Sequence, residues 1–195
     1  YASTGGYIDE YHHIPHLGKF AAGGAGLVFM ESTKVEARGC STRADAGIWK
    51  DDFIPSLQRV TEYIRRNGAV PGIQLGHSGR KGSTQLGWEQ IDEPLPSGNW
   101  PLLAASAIPY GPQNQVPKAM TRADMDSVRE AFVAAAQRGA AAGFDLLELH
   151  CAHGYLLSNF LCPLTNRRTD EYGGTLENRL RYPLEVFHAV RAAWP

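Results

Sequence analysis

The sequence predicts an α/β fold with a parallel sheet, and within that class it favours a (β/α)-barrel over a doubly wound sheet. Short apolar runs alternate along the chain with segments of helical spacing, which is typical of βα units joined by right-handed crossovers. Links from helix to strand are short and links from strand to helix are long, so one edge of the sheet is elaborated for function. No G-x-G-x-x-G motif follows any predicted strand, which disfavours a doubly wound dinucleotide-binding sheet.

Three short apolar runs are predicted to form the buried strands, at residues 26–31, 70–75 and 145–150. Each run is short and bounded by turn-forming residues, which is typical of a buried strand rather than a helix. The glycine-rich stretch at residues 23–26 comes before the first strand rather than after it. It is therefore predicted to form a turn and not a phosphate-binding loop.

Two helices are predicted in the first third of the chain. The first is a weaker candidate at residues 10–24, where Pro15 interrupts the pattern. Asp52 is expected to cap the second helix, which ends at Asn67 and Gly68. The apolar residues of the second helix fall at helical spacing: Phe53, Leu57, Val60 and Ile64.

Two further helices are predicted downstream, each with a threonine cap. Thr121 is expected to cap the third helix and Gly143 to end it. Its apolar face consists of Met125, Val128, Phe132, Ala135 and Ala136. Thr175 is expected to cap the fourth, and Pro183 should kink that helix or delay its start. Its apolar face consists of Leu176, Leu180, Leu184, Phe187 and Val190.

Two long segments show no sustained periodicity and are predicted to be loops. One spans residues 76–120 and is rich in Pro, Gly, Ser and Trp; the other runs from the third strand to Gly174. Both follow a predicted strand, so they are expected to lie at the functional edge of the sheet.

The composition is that of an ordinary soluble globular protein, with 43% hydrophobic and 20% charged residues in 195. The formal net charge of −1 provides no attraction to nucleic acid or to an anionic membrane, so we expect neither partner. No apolar run approaches the ~18 residues of a membrane span, and the first residues do not resemble a signal peptide. Cys40, Cys151 and Cys162 lack C-x-x-C spacing, and we expect reduced thiols in a cytoplasmic protein.

The residues at or just beyond the predicted strand ends form one candidate cluster. They are Glu31, Ser32 and Thr33, then Gln74, Gly76 and His77, then His150, His153 and Tyr155. Because the C-terminal ends of parallel strands meet at one edge of a sheet, these residues are expected to lie close together. A lone histidine at a strand end is often structural, but this convergence of polar groups from separate strands predicts a functional site.

Two chemistries fit this cluster, and the residue pattern leaves both open. The imidazoles of His77, His150 and His153 suit zinc, and a barrel with a metal-bound hydroxide would be a hydrolase. Such a site usually needs a carboxylate, and only Glu31 and Glu148 are near. The other chemistry is an organic cofactor held by neutral groups, where an amide bonds a heterocycle edge, imidazoles hold a carbonyl oxygen and a tyrosine supplies a proton.

Three segments carry a resemblance to a known family. The run HCAHGYLLSNFLCPLTNRRTDEYGGTLENRLRYPLEVF, together with GIQLGHSGRK and VFMESTKVEARG, resembles the Old Yellow Enzyme family of FMN-dependent NAD(P)H:flavin oxidoreductases and ene-reductases. His153, where another branch has asparagine, resembles the xenobiotic-reductase-like branch. The insert WEQIDEPLPSGNWPLLAASAIPY is similar to the reductase domain of bifunctional aminobenzoyl-CoA or salicylyl-CoA enzymes.

The resemblance implies a TIM (β/α)8 barrel with FMN at its C-terminal mouth. Residues 1–195 would form a single incomplete FMN-binding domain, roughly strands 2–4 with their helices, without the first strand and the C-terminal half. Half a barrel leaves strand edges unpaired, so we expect the isolated chain to be unstable, oligomeric or unable to retain FMN. The full-length protein is expected to be a homo-oligomer.

The resemblance also assigns roles to site residues. Ser32, Gln74 and His150 are expected to bind the cofactor, with Gln74 at the pyrimidine edge of the flavin and Ser32 by its reactive side. The expected substrate-binding residues are Tyr1, His150, His153 and Tyr155. Among these, His150, His153 and Tyr155 are the expected catalytic residues, since the histidines would grip the acceptor oxygen and the tyrosine would donate a proton.

The expected activity is reduction of FMN by NAD(P)H, followed by hydride transfer to a small-molecule acceptor. The acceptor would be an activated alkene of the enone or aryl-CoA type, and no metal is expected in this interpretation. A metal-dependent barrel hydrolase using His77, His150 and His153 remains an alternative, as does a truncated module without catalytic activity.

Overall fold

The structure is a computed structural model that describes residues 2–195 of the chain. The expected role of Tyr1 in substrate binding therefore lies outside the described residues. The helices of the described residues are α1 (Glu10–Ala22), α2 (Ile54–Arg66), α3 (Gly87–Gln90), α4 (Arg122–Ala141), α5 (Leu156–Leu161) and α6 (Leu176–Ala193). The strands are β1 (Ser3–Thr4), β2 (Tyr7–Ile8), β3 (Leu27–Lys34), β4 (Val70–Gly76), β5 (Leu103–Ala104), β6 (Lys118–Ala119) and β7 (Leu146–Leu149).

The main sheet is parallel, in the order β3-β4-β7, and confirms the three predicted strands. Helices α2 and α4 make the two crossovers, so the arrangement is the partial (β/α)-barrel expected. Strand β3 differs in one respect from its prediction, because it continues through Lys34 instead of ending at Glu31. A register shift between Met30 and Thr33 accompanies this extension, which turns the end of the strand.

Helix α1 forms in spite of Pro15. The side chain of Asp9 accepts a hydrogen bond from the backbone N–H of Tyr11 and caps the helix, while Leu17 and Ala21 are buried in the hydrophobic core. Packing of this apolar face therefore offsets the internal proline.

Helix α4 has the cap that its sequence predicts. The Thr121 side chain accepts from Asp124 N, and the Asp124 carboxylate accepts in return from Thr121 N at 2.8 Å. Gly143 follows the last turn with φ +85°, a left-handed conformation that glycine adopts without strain. Helix α6 likewise begins directly after Thr175, whose side chain accepts from Asn178 N.

The expected Asp52 cap of α2 is wrong. Asp52 lies in a 3₁₀ turn at residues 51–53, and α2 begins at Ile54 with no side-chain cap from any residue that the structure describes. The Ile54 N–H donates to the Asp51 carbonyl within this turn. The tighter turn satisfies the backbone groups that a side-chain cap would otherwise serve.

The predicted loops contain short elements that periodicity could not detect. The first loop holds α3 and the two-residue parallel pair of β5 and β6. The second holds α5, a six-residue helix that buries Leu156, Leu157 and Phe160. The helices α3 and α5 are shorter than two helical turns, and β5 and β6 have two residues each. Elements this short show no periodicity in the sequence, and their formation depends on tertiary packing.

The expected apolar face of α6 is only partly buried. The helix starts at Leu176, so Pro183 does not delay it, and it buries Tyr182, Pro183, Val186 and Val190 against the core. The Tyr182 hydroxyl donates to the Met125 carbonyl at 3.1 Å, which holds this face against α4. Leu184 and Phe187 are consequently turned outward and are 45% and 48% exposed.

Candidate active site

The C-terminal ends of β3, β4 and β7 bring the predicted polar residues to one edge. His150 follows β7 directly, and its backbone N–H donates to the Leu75 carbonyl of β4 at 2.9 Å. Gln74 lies opposite Glu148 in the ladder, and its Nε2 donates to Glu148 Oε1 at 2.7 Å. Gln74 and His150 therefore lie at the ends of two neighbouring, paired strands.

Gly76, at the end of β4, lies between Ser32 and His150. A side-chain Cβ on Gly76 would come within 2.7 Å of Ser32 Oγ and 3.5 Å of His150 Cβ. A Cβ at position 76 would force the Ser32 side chain to move, because real Cβ atoms do not come so close to an oxygen. The missing side chain lets the Ser32 hydroxyl sit between two strands at the edge that carries His150.

His150, His153 and Tyr155 form a compact cluster of rings. The ring centroid of His150 lies 5.0 Å from that of His153 and 4.9 Å from that of Tyr155. The backbone produces this by two successive left-handed residues, His153 with φ +57° and Gly154 with φ +71°. A left-handed histidine is uncommon, and here it turns the loop so that His153 faces His150.

The hydrogen bonds of His150 determine which nitrogen carries its proton. The backbone N–H of Ala152 donates to His150 Nδ1 at 3.2 Å, so the neutral ring carries its hydrogen on Nε2. Burial lowers the pKa of His150, and the nearby His153 and Lys34 lower it further. A neutral ring with a free Nε2–H can donate to an acceptor oxygen near neutral pH.

Tyr155 is set up to retain its proton. Burial raises the pKa of Tyr155, partly opposed by a hydrogen bond from Ser41, so the phenol is neutral near pH 7. Two ammonium groups approach its ring: Lys34 Nζ at 5.2 Å and Lys81 Nζ at 5.8 Å from the centroid. A protonated phenol beside an imidazole N–H can act as a general acid.

A comparison with known families places the sequence of the chain in one of them. The sequence model of the NADH:flavin oxidoreductase / NADH oxidase family matches residues 2–194. The chain belongs to this family. The resemblance to the Old Yellow Enzyme group is thereby confirmed.

Curated relatives of the chain carry the names of flavin oxidoreductases and NADPH dehydrogenases. An NADH:flavin oxidoreductase of Gibberella zeae is 42% identical over 200 residues, which cover 100% of this chain and 48% of that protein. An NADPH dehydrogenase of Bacillus cytotoxicus is 43% identical over 189 residues, covering 97% of this chain and 50% of that protein. The chain spans about half the length of these curated relatives.

Solved structures show the same fold. Morphinone reductase is 27% identical with a TM-score of 0.84, and 99% of this chain covers 53% of it. Old Yellow Enzyme from Pichia sp. is 28% identical with a TM-score of 0.85, and 98% of this chain covers 50% of it. The chain thus has the fold of part of the (β/α)8 barrel of this family.

The neutral polar groups at the edge fit the flavin that the family name implies. The edge of a flavin ring alternates carbonyl oxygens with N–H groups, and the Gln74 carboxamide offers both a donor and an acceptor. The Ser32 hydroxyl and the His150 Nε2–H add further neutral groups, and Gly76 keeps the space between them free of a side chain. Uncharged hydrogen-bonding groups of this kind suit an organic ring system.

His77 does not join the cluster, which corrects the alternative that placed it in a zinc site. Its Nε2 lies 2.8 Å from Glu36 Oε1, and its Nδ1 accepts from the Gly79 N–H at 3.0 Å. Both ring nitrogens are therefore engaged within the protein, and the ring ties the segment after β3 to the end of β4. Residues 2–195 contain no cluster of three or more His, Cys, Asp or Glu side chains placed to hold a metal ion.

Two lysines of the site were absent from the predicted set. Lys34 is buried at the end of β3, and Lys81 lies half-buried with its Nζ 4.3 Å from the Tyr110 ring centroid. The strand was predicted to end at Glu31, which placed Lys34 in a loop. The signal that could have found it is the alternation Ser32, Thr33, Lys34, which puts Lys34 on the same face as Ser32 if the strand continues.

The described residues hold no helix that is long and apolar enough to cross a membrane.

Proposed function

We propose that this chain is part of a flavin-dependent oxidoreductase that reduces an activated alkene. The observation that carries the proposal is the cluster of His150, His153 and Tyr155, at the strand edge where Ser32 and Gln74 offer a flavin neutral partners. FMN bound there would accept hydride from NAD(P)H and pass it to the β-carbon of the alkene.

His150 would bind the acceptor oxygen. Its Nδ1 is occupied by the Ala152 N–H, so its Nε2–H is the group left to donate. A neutral donor in a partly buried site stabilises the negative charge that develops on a carbonyl oxygen during reduction. His153, with its ring 5.0 Å away, would supply the second contact to the same oxygen.

Tyr155 would donate the proton to the α-carbon. Burial raises the pKa of the phenol, so the hydroxyl is protonated at neutral pH and is available as a general acid. The Tyr155 ring centroid lies 4.9 Å from that of His150. This spacing suits a pair in which His150 binds the carbonyl oxygen and Tyr155 protonates the α-carbon bonded to that carbonyl.

The acceptor class follows from the same donors. Two imidazoles suit the oxygen of an enone or of an aryl thioester, and both remain within this proposal. The solved structures similar to this chain include a complex of 2-naphthoyl-CoA reductase with 2-naphthoyl-CoA, 26% identical with a TM-score of 0.83. We infer a small conjugated carbonyl compound as the substrate.

The test uses the protein expressed from its full natural reading frame. We expect a yellow protein. Its visible absorbance should bleach when NADH or NADPH is added anaerobically, and should return when 2-cyclohexenone or an aryl-CoA is added. A colourless protein that takes up no FMN would refute the proposal.

His150→Ala is expected to weaken acceptor binding about tenfold or more, because one hydrogen bond of about 1.5 kcal/mol is lost. Binding is measured by titrating the oxidised protein with a non-reactive phenol or enone analogue. His12→Ala, at an exposed histidine of α1, is the matched control and should leave the Kd unchanged. An unchanged Kd in His150→Ala would show that the acceptor binds elsewhere.

A further inference from the structure

Lys34 is buried to a degree that is unusual for a lysine. Its side chain is 4% exposed at the end of β3, directly beside the site. Burying an ammonium group costs several kcal/mol unless other groups compensate its charge. The contacts of the Lys34 ammonium group therefore show which groups compensate its charge and which group receives its hydrogen bond.

The one side-chain hydrogen bond of Lys34 within the described residues goes to Ser32. Lys34 Nζ lies 3.2 Å from Ser32 Oγ, whereas it lies 3.6 Å from Asp45 Oδ2, which is longer than a hydrogen bond. The Asp45 carboxylate is already occupied by the Ser41 N–H at 2.6 Å and by Thr42. Asp45 thus balances the charge of Lys34 from a fixed position, while Ser32 receives its hydrogen bond.

This bond determines the direction of the Ser32 hydroxyl. An ammonium group has donors only, so Ser32 Oγ must accept, and its own hydrogen must point away from Lys34. Within residues 2–195 that hydrogen is donated to no protein acceptor. A hydroxyl that accepts from a cation is also a stronger donor, since neighbouring hydrogen bonds polarise one another.

The free donor faces the site. Ser32 lines a cavity of about 140 Å³, which it shares with Lys34 and Tyr155. On its other side Gly76 lacks the side chain that would press against Ser32 Oγ. The hydroxyl is therefore open on the side where the strand edge carries Gln74 and His150.

We propose that Lys34 is a positioning residue, which turns and polarises the Ser32 hydroxyl so that it donates to the flavin and favours the reduced state. The inference rests on the proposed function, because it requires a flavin at this edge. Reduction adds negative charge to the ring, so a polarised hydroxyl donor stabilises the reduced form more than the oxidised form.

The test measures the midpoint potential of the bound flavin in the protein from the full reading frame. Lys34→Met removes the cation with little change in volume, and Ser32→Ala removes the hydroxyl. Each is expected to make the potential more negative, so that at a fixed ambient potential the ratio of oxidised to reduced flavin rises about tenfold. Ser32→Ala removes only one atom, so it provides a test even where Lys34→Met does not fold.

A double-mutant comparison separates positioning from a simple charge effect. If Lys34 acts through Ser32, Lys34→Met adds little to the shift already present in Ser32→Ala. Full additivity, or an unchanged potential in Ser32→Ala, would overturn the inference. Lys81→Met is the matched control, because it removes a second ammonium near Tyr155 that makes no hydrogen bond to Ser32, and its shift should be smaller.

Different results would refute the proposed function and the role of Lys34. A wild-type protein without flavin would refute the proposed function itself. A wild-type protein that binds FMN and reduces enones, with a potential that neither substitution moves, would refute the role of Lys34 alone.

Discussion

At the scale of single residues, backbone conformation shapes the site as much as side-chain chemistry does. His153 adopts φ +57° immediately before Gly154 at φ +71°. A left-handed conformation costs a residue with a Cβ about 1–2 kcal/mol, which glycine does not incur. The strain at His153 is offset elsewhere in the fold, and its effect is to bring the His153 ring to 5.0 Å from His150.

This conformation leads to a prediction for two substitutions of His153. Asparagine tolerates the left-handed region, so His153→Asn should leave the free energy of unfolding nearly unchanged. Valine is β-branched and disfavours that region, so His153→Val should lower it by about 1–2 kcal/mol. Denaturant unfolding of the protein from the full reading frame measures both. Equal stability of the two variants would mean that the turn at residue 153 relaxes without cost.

The site was partly predictable from the sequence for a definite reason. The C-terminal ends of parallel strands meet at one edge, so His150 and Gln74 could be placed together from strand positions alone. His77 could not be excluded in this way, because the orientation of its ring depends on Glu36 and Gly79, which lie on other segments. The role of Lys34 depends on where β3 ends, and strand ends are poorly specified by sequence.

At the scale of elements, two of the three predicted helix caps, Thr121 and Asp52, differ in outcome for a physical reason. Thr121 is followed three residues later by Asp124, and this reciprocal pair fixes the start of α4 by two local hydrogen bonds. Asp52 has no such partner three residues later, and its carboxylate instead accepts a hydrogen bond from the Tyr7 hydroxyl of β2 at 3.4 Å. A cap that is closed by residues within one turn can be read from sequence, whereas an isolated aspartate cannot.

The α4 cap leads to a prediction about pH. The hydrogen bonds from Lys118 and Thr121 outweigh the opposing effect of burial and lower the pKa of Asp124 to about 2. Because the folded pKa is below the ordinary value near 4, Asp124 stabilises the fold above pH 4, and this stabilisation is lost as the pH falls towards 2. Unfolding free energies measured across this range should therefore decline less in Asp124→Asn than in the wild type. Parallel curves for the two proteins would contradict the assignment.

At the scale of the whole molecule, the parallel sheet is bordered by uncovered apolar surface. Strand β7 pairs only with β4 among the described strands, so its other edge has no strand partner there. An apolar groove of about 490 Å³ runs between β7 and α6 and includes Leu147, Leu149, Leu184 and Phe187. The sequence predicted Leu184 and Phe187 on the apolar face of α6, and both line this groove while remaining about half exposed.

A polypeptide restricted to residues 1–195 is therefore expected to associate or unfold and to lose FMN. The unpaired edge of β7 and the exposed Leu184 and Phe187 favour contact with any second chain. Gel filtration and visible absorbance measure association and flavin retention, and Leu184→Glu with Phe187→Glu should shift the polypeptide towards smaller species. The same pair of substitutions on the exposed positions Tyr11 and His12 of α1 is the control and should not change the elution. A monomer that unfolds cooperatively and holds FMN tightly would show that these residues complete a folding unit without further contacts.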